Sequence, residues 1–526
     1  MNEHDVLPAD TAETLIDVLD RRAQATPDAE LVRFEDGSRL RVGEVHAGAR
    51  RVAARIARIA SPGTPIATCV RPGRAAVDLI FGLARCGAVE VPLALDVSAP
   101  AAEAVLRATH ADVLVVGTAA LAANEALAEL FVAVPRVVLV QDSELPGPAG
   151  VPFLDELPSA PGGGDRRPRP GDPLAVLSTS GTTGRPKAAV LPHFAAVRHA
   201  SRVRATMRYG PGDVLFNVFP WNHINVRHAA LLPALLSGAR LVAHTRFSAS
   251  RFWEVCRAER VSAFNFMGAM LAILDRRPPA PADDDHAVRL AYGAPAPVEL
   301  ARRFHDRFGV RALEAYACTE LGDVAANTPE SWRPGTAGRA VPEYEVAIVD
   351  EEGRTLAPGE VGQIAARPRL PHMMFGGYAG DPSATAAVLR DGWFRTGDRG
   401  LLDEHGYLTF AGRRADVVRR RGENIAAWDV EQVLLTMPGV VDAAALGVVS
   451  ELTEEELLVV LVAPGTGVDG PAVRDWCRAR LPRHAVPRYV RIAPELPRNP
   501  NGKVVKSALV ARGVDRSTWD AEAATS

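Results

Sequence analysis

Cysteine is scarce, and neither sign of charge is in excess. The five cysteines, Cys69, Cys86, Cys256, Cys318 and Cys477, are odd in number, scattered and free of CxxC spacing. That excludes a disulfide framework and a cysteine zinc site, and it fits a reducing compartment. Lys and Arg number 60 against 63 Asp and Glu, a formal charge of −3. A nucleic-acid coat or a polybasic membrane patch is thereby excluded as the main occupation, and a small-molecule partner is expected. Long apolar runs are missing too: the longest, Ala229 to Val242, contains Pro233 and Arg240 and falls short of the ~20 residues a membrane span needs. The amino terminus, MNEHDVLPADTAETL, has neither the basic start nor the apolar core of a secretion signal, so a cytoplasmic location is expected. No repeat of ~20–50-residue period is visible.

What is present is 47% hydrophobic and 23% charged, enough for two to four domains at roughly 100–200 residues each. A helix is expected over Thr11–Arg22, with Leu15, Ile16, Val18 and Leu19 on one apolar face. Strands are expected at Pro65–Val70, Ala88–Leu93, Asp112–Val116 and Arg136–Val140, with a helix at Arg74–Cys86. This rhythm predicts an α/β fold of open, helix-wound sheets. Ser159–Pro173, dense in Gly, Pro and charge, reads as a linker into a strand at Leu174–Thr179. A second α/β stretch runs through 239–243, 263–266 and 290–292, and a β-rich subdomain covers about 335–410. The expected boundary divides a large domain, 1–411, from a small mobile α+β domain, 412–526, with strands near 443–449, 457–462 and 489–492 and a helix at Pro471–Leu481.

Between strand-like segments stands Ser178-Thr179-Ser180-Gly181-Thr182-Thr183-Gly184-Arg185-Pro186-Lys187. Glycines let backbone N–H groups face an anion, hydroxyls add donors that reach a magnesium ion, and the lysine contributes a point charge. A generic cluster of this kind reads first as a polar hairpin turn. It is not a Walker A loop, because its glycines are three apart and Pro186 precedes Lys187.

This decapeptide resembles the signature of the adenylate-forming enzymes, which include acyl-CoA synthetases, peptide-synthetase adenylation domains and luciferases. The resemblance extends in order over most of the chain. It is nearest to the carnitine/crotonobetaine-type acyl-CoA ligases at FSASRFWEV (Phe247–Val255), FMGAM (Phe266–Met270) and RRRGENIAAWDVE (Arg419–Glu431).

The resemblance implies roles residue by residue. Thr179, Ser180, Gly181, Thr183, Gly184 and Lys187 would cradle ATP, with Thr182 and Glu320 holding Mg2+. Tyr316-Ala317-Cys318-Thr319-Glu320 is similar to the family's YGxTE element, in which Thr319 would touch the α-phosphate. A carboxylate beside a triphosphate is sensible only with a divalent cation between them. Gly293-Ala294-Pro295 would lie along the adenine, where missing side chains allow close approach. Asp398, in Arg395-Thr396-Gly397-Asp398, would accept both ribose hydroxyls, and Arg413 would reach the nucleotide near the domain junction. Lys503, after Asn499-Pro500-Asn501-Gly502, resembles the mobile catalytic lysine. A cation between a carboxylate and an α-phosphate lowers their repulsion most in the transition state.

The acyl pocket is expected from Trp221, Asn222, His223 (an aromatic gate), Asn225, Phe266, Met267, Gly268, Tyr292 and Asp323, though such residues read equally as plain core. Asn225 falls where amino-acid-activating relatives carry an Asp, and a neutral side chain cannot pair an ammonium. An aliphatic or aryl carboxylic acid is therefore expected rather than an amino acid. The 23 residues beyond Lys503 are too few for a fused carrier domain, so the expected acceptor is coenzyme A, with Arg419, Arg420 and Arg421 available for its phosphates. The alternative keeps the chemistry but uses a free-standing carrier protein or an amine, including activation of nitrite to diazotise an aryl amine. One departure stands out: Ala415 occupies the hinge, where the family usually has Asp or Lys. The oligomeric state is left open.

Overall fold

The fold, taken from a computed structural model, is described for residues 13–179, 187–413, 416–420, 423–449, 455–465, 467–499 and 502–523. Short apolar runs, richest in β-branched residues in the first sheet, form two mostly parallel sheets. The first, among the described residues, is ordered Arg136–Val140, Val113–Gly117, Pro65–Cys69, Val89–Pro92, Pro173–Thr179, Lys187–Pro192, with only the last strand antiparallel. The second has a parallel centre of Arg311–Cys318, Leu290–Ala294, Ala263–Met267, Val214–Asn217, Arg240–Ala243 and Glu30–Phe34, with antiparallel strands at both edges. Such strands are buried on both faces, which is why they read as unbroken apolar runs.

The helix expected from Thr11 begins at Leu15 and runs to Ala25. Its start is fixed by Thr14, whose hydroxyl accepts from the Asp17 N–H (3.2 Å) while the Asp17 carboxylate accepts from the Thr14 N–H (2.9 Å), a reciprocal capping box. Helix Arg74–Cys86 and strand Arg136–Val140 stand where expected. The helix expected at Pro471–Leu481 spans Gly470–Arg478, capped by Asp469, which accepts from the Ala472 N–H at 2.9 Å.

Helix His193–Met207 packs into the main core, with 14 of its 15 residues buried. Arg198 and Arg202, one turn apart and hence on one face, both meet Glu343, each Nε at 2.9 Å from a carboxylate oxygen. The β-rich region is an antiparallel sheet of Tyr344–Val349, Gly362–Pro368, Trp393–Leu402, Leu389–Arg390 and Leu408–Arg413. The small domain has the hairpin Val417–Arg420/Glu423–Ala426 and a sheet ordered Asp442–Val449, Glu455–Val462, Tyr489–Ala493, Thr518–Asp520. Among the described residues, no helix is long and apolar enough to cross a membrane.

Candidate functional site

The carboxyl ends of parallel strands Ala263–Met267 and Leu290–Ala294 open onto the site, as ligand crevices do in open α/β sheets. Residues pass from buried to half-buried at Met267 and Gly293. Gly293 has no alternative: a Cβ there would lie 1.9 Å from the Phe266 carbonyl oxygen. The segment after it is anchored by the buried Glu314 carboxylate, which accepts from the Ala296 N–H at 3.0 Å.

Tyr316, Asp398 and Arg413 come together from three strands. The Tyr316 hydroxyl donates to Asp398 Oδ2 at 2.7 Å, and Arg413 Nε lies 3.4 Å from Asp398 Oδ1. Asp398 and Arg413 are register partners on adjacent antiparallel strands. Burial raises the Asp398 carboxyl above the usual carboxylate range, while Arg413, the Tyr316 hydroxyl and Lys503 pull it back. Phe410 stacks on Tyr316 (centroids 6.2 Å apart) and meets Trp428 of the small domain edge-on at 5.1 Å.

Lys503 reaches this group from the small domain. Its turn is closed by the Lys503 N–H on Asn499 Oδ1 and the Asn499 N–H on the Lys503 carbonyl, each at 2.9 Å. Gly502 supplies the left-handed φ of +74° and comes against Met267, its ideal Cβ position 3.6 Å from the sulfur. Burial, then the Arg413 charge, pushes the Lys503 ammonium down to about 8 against the opposing pull of Asp398.

Glu320 sits in the turn between strands Arg311–Cys318 and Gly322–Ala326, buried, with the Tyr378 hydroxyl donating to Oε1 at 2.7 Å. Thr319 is half-buried beside it. Thr179 and Lys187 pair across the antiparallel ladder, and the Lys187 ammonium lies 4.9 Å from the Tyr378 ring centre. Ser180, Gly181, Thr182, Thr183 and Gly184 lie outside the described residues, as do Ala415 and Arg421. Tyr378, which links Lys187 to Glu320, was not anticipated. Its signal is FGGYAG, a segment whose backbone bonds to strand Lys187–Pro192 through Gly376, Gly377 and Ala379.

The expected acyl pocket divides. Asn265, Tyr292 and Leu313 are in register on neighbouring strands, so they share one face, while Phe266 faces the opposite side and packs with Phe264 and Trp253 in a separate core. Phe266 is therefore no pocket residue, because strand side chains alternate between faces. Trp221 and Asn222 line a cavity of about 270 Å³ together with Thr68, Glu90 and Arg227. Arg227 draws their turn toward the first sheet by donating to the Trp221 carbonyl (2.5 Å) and forking onto Glu90 (2.6 and 2.9 Å). Asn225 Oδ1 accepts from Asn217 Nδ2 at 2.9 Å. Burial, helped by Arg227, pushes the half-buried His223 down to about 4, so its ring is neutral at pH 7. Met267 and Gly268 remain at the mouth; Tyr292 and Asp323 are deeply buried and bonded to each other.

The basic hairpin divides as well. Arg420 turns inward, donating to the carbonyls of His484 (2.9 Å) and Val486 (2.8 Å) and pairing with Glu456 (2.6 Å), whereas Arg419 is exposed. Arg420 lines a cavity of about 770 Å³ with Arg474, Arg478, Arg483 and Arg488. No cluster of three or more His, Cys, Asp or Glu suited to a metal occurs among the described residues.

Residues 19–379 match the AMP-binding enzyme family, and residues 429–503 match the AMP-binding enzyme C-terminal domain. The crotonobetaine/carnitine–CoA ligase of Shigella flexneri is 30% identical over 438 residues, 82% of this chain and 84% of that protein. ATP-bound MatB from Rhodopseudomonas palustris is 25% identical, covering 94% of this chain and 98% of its own, with a TM-score of 0.83. A benzoate CoA ligase from Burkholderia xenovorans LB400 shares the fold at 21% identity, with a TM-score of 0.83 over 95% of this chain and 100% of its own.

Proposed function

The chain belongs to the AMP-binding enzyme family, and from that premise we propose that it joins an organic carboxylic acid to AMP, releases pyrophosphate, and passes the acyl group to the thiol of coenzyme A. The reading is carried by one observation: Lys503 of the small domain lies beside Asp398 and Arg413, at the strand ends that present Met267 and Gly293.

In the first step an acid oxygen attacks the α-phosphorus of ATP, the bond to the bridging oxygen breaks, and pyrophosphate leaves. Lys503 places its charge between the two anions as they approach, where a preorganised cation acts most strongly. Asp398 keeps acceptor capacity for the ribose hydroxyls beyond its bond to Tyr316, since a carboxylate offers about four lone-pair sites. Lys187 and Thr319 serve the phosphates, together with Thr182. His223, neutral, is a wall of the acid site and not a counter-ion. Magnesium characteristically takes one or two carboxylates plus phosphates and water; Glu320, with one oxygen committed to Tyr378, fits that pattern, and the ion when bound supplies charge neutralisation.

In the second step the thiol sulfur attacks the acyl carbonyl, AMP leaves, and the thiol proton passes to solvent. The small domain, taken as 412–526, reorients for this step. The arginine-lined cavity on that domain suits the phosphates of coenzyme A, because guanidinium groups match phosphate geometry.

Exchange of labelled pyrophosphate into ATP, driven by a panel of acids, tests the first step. AMP must appear; ADP and orthophosphate would sink the reading. AMP release that depends on a carrier protein or an amine, with or without nitrite, instead of coenzyme A would keep the adenylation and replace the acceptor.

A further inference from the structure

Below the mouth of the site, the space between the second sheet and the helices is taken up by the chain itself. Two residues down each strand from Met267 and Ala294, their register partners Asn265 and Tyr292 point to the same side, toward the helices, because strand side chains stand perpendicular to the sheet. Both are tied to the walls. Asn265 Nδ2 donates to the Ala229 carbonyl at 3.3 Å, and the Tyr292 hydroxyl donates to Asp323 Oδ2. Asp323 Oδ1 in turn lies 3.1 Å from His199 Nε2 on helix His193–Met207, and the His199 ring meets His228 edge-on, centroids 5.8 Å apart.

His228 lies in a π-helical turn, Arg227–Leu231, closed by the Leu232 N–H on the Arg227 carbonyl. Such a turn inserts a residue into a helix and is frequent at functional sites. Tyr292, Asp323, His199 and His228 are each 4% exposed or less. A ligand chain entering deeper would have to part Tyr292 from a buried carboxylate and strip that carboxylate oxygen of its donor, a heavy penalty for an apolar tail that offers no hydrogen bond.

We infer that Tyr292, braced by Asp323 and His199, is the floor of the acid site and sets the substrate as a short-chain acid. The room above it is measured by the two residue steps along the strand from floor to mouth, a rise of about 6.6 Å. This inference rests on the adenylation reading above and specifies which acids that reaction takes. Tyr292 acts by shape and Asp323 by holding it; neither touches the reacting atoms.

The test is pyrophosphate exchange across a ladder of straight-chain saturated acids from two to twelve carbons. Expected is the highest kcat/KM at four carbons or fewer and a fall of tenfold or more by eight carbons. Tyr292→Ala should move the optimum toward longer acids, raising kcat/KM for the eight-carbon acid at least tenfold, while Tyr292→Phe keeps the optimum because the ring remains. Should Tyr292→Ala fail to fold, His228→Ala, which opens the helical wall, should make the same shift in smaller measure. Eight- to twelve-carbon acids equalling short ones in the unaltered enzyme, or a folded Tyr292→Ala with an unchanged ladder, would overturn the inference and leave the adenylation reading intact. Exchange with no acid at all would overturn both.

Discussion

Helix His193–Met207 and the turn ending at Lys503 hold positive charge in opposite ways. Arg198 and Arg202 are buried in the helix and locked onto one carboxylate, Glu343. Lys503 is held through its backbone and through Asn499, while its ammonium stands between an attracting Asp398 and a repelling Arg413. The first arrangement spends its charge inside the protein and sets the stability of the large domain. The second leaves a cation whose neighbours nearly oppose one another, so an arriving anion can recruit it. A charge satisfied at home builds the scaffold, and a charge left poised on a turn is available for chemistry.

The largest effect should fall on the scaffold. Glu343→Ala removes the carboxylate that two buried guanidinium groups share, and removing one partner from a buried ion pair typically lowers stability by about 3–5 kcal/mol. Denaturant titration reads this directly; a loss under about 1 kcal/mol would mean that the arginines find other partners and that the contrast with Lys503 is false. Next comes Lys503→Ala, which should cut adenylation about 10²- to 10³-fold, the range for losing one preorganised charge-stabilising group. Stability and transfer from a preformed acyl adenylate should stay within a few-fold of the unaltered enzyme. Single-turnover assays of each half-reaction separate these, and equal losses in both would erase the distinction.

The same contrast governs what could be read from sequence. Lys503 was legible through its resemblance to the family's lysine after Pro500-Asn501-Gly502, a motif confined to one local stretch of chain. The buried strands were legible because burial on two faces demands continuous apolar runs. Facing was not legible. FNFM offers alternating residues, and only the register of Asn265 against Tyr292 decides that Phe266 turns away from the site. The Tyr316–Asp398 bond joins positions 82 residues apart, and Arg227 reaches back 137 residues to Glu90, which ties the Trp221 turn to the first sheet. Pairings of that span depend on the packing of whole sheets, and no local spacing encodes them.

A pH profile sharpens the account of the poised charge. Lys503 acts protonated, and burial with Arg413 brings it down to about 8. Adenylation kcat/KM, which reports groups of the free enzyme, should therefore be level below about pH 7.5 and decline as pH rises through about 8. In Lys503→Arg the remaining activity should lose that decline, because a guanidinium keeps its proton throughout this range. A decline at the same pH in the arginine variant would assign the titration to another group.

The smallest expected effect belongs to the arginine cavity of the small domain, where several guanidinium groups share one anionic guest. Arg483 lines that cavity beside Arg474 and Arg488, and Arg488 already pairs with Asp520 and Glu522. Because the pairs are partly solvated and salt screens them, a single reversal such as Arg483→Glu should change binding by no more than about 1 kcal/mol. The expected outcome is a severalfold rise in KM for coenzyme A that shrinks as ionic strength increases, with pyrophosphate exchange unaffected. That pattern would place a third kind of positive charge in the molecule: neither locked like Arg198 nor poised over the reacting atoms like Lys503, but pooled at a surface to hold a phosphorylated acceptor. A KM that ignores both the substitution and the salt would remove the cavity from the acceptor's path.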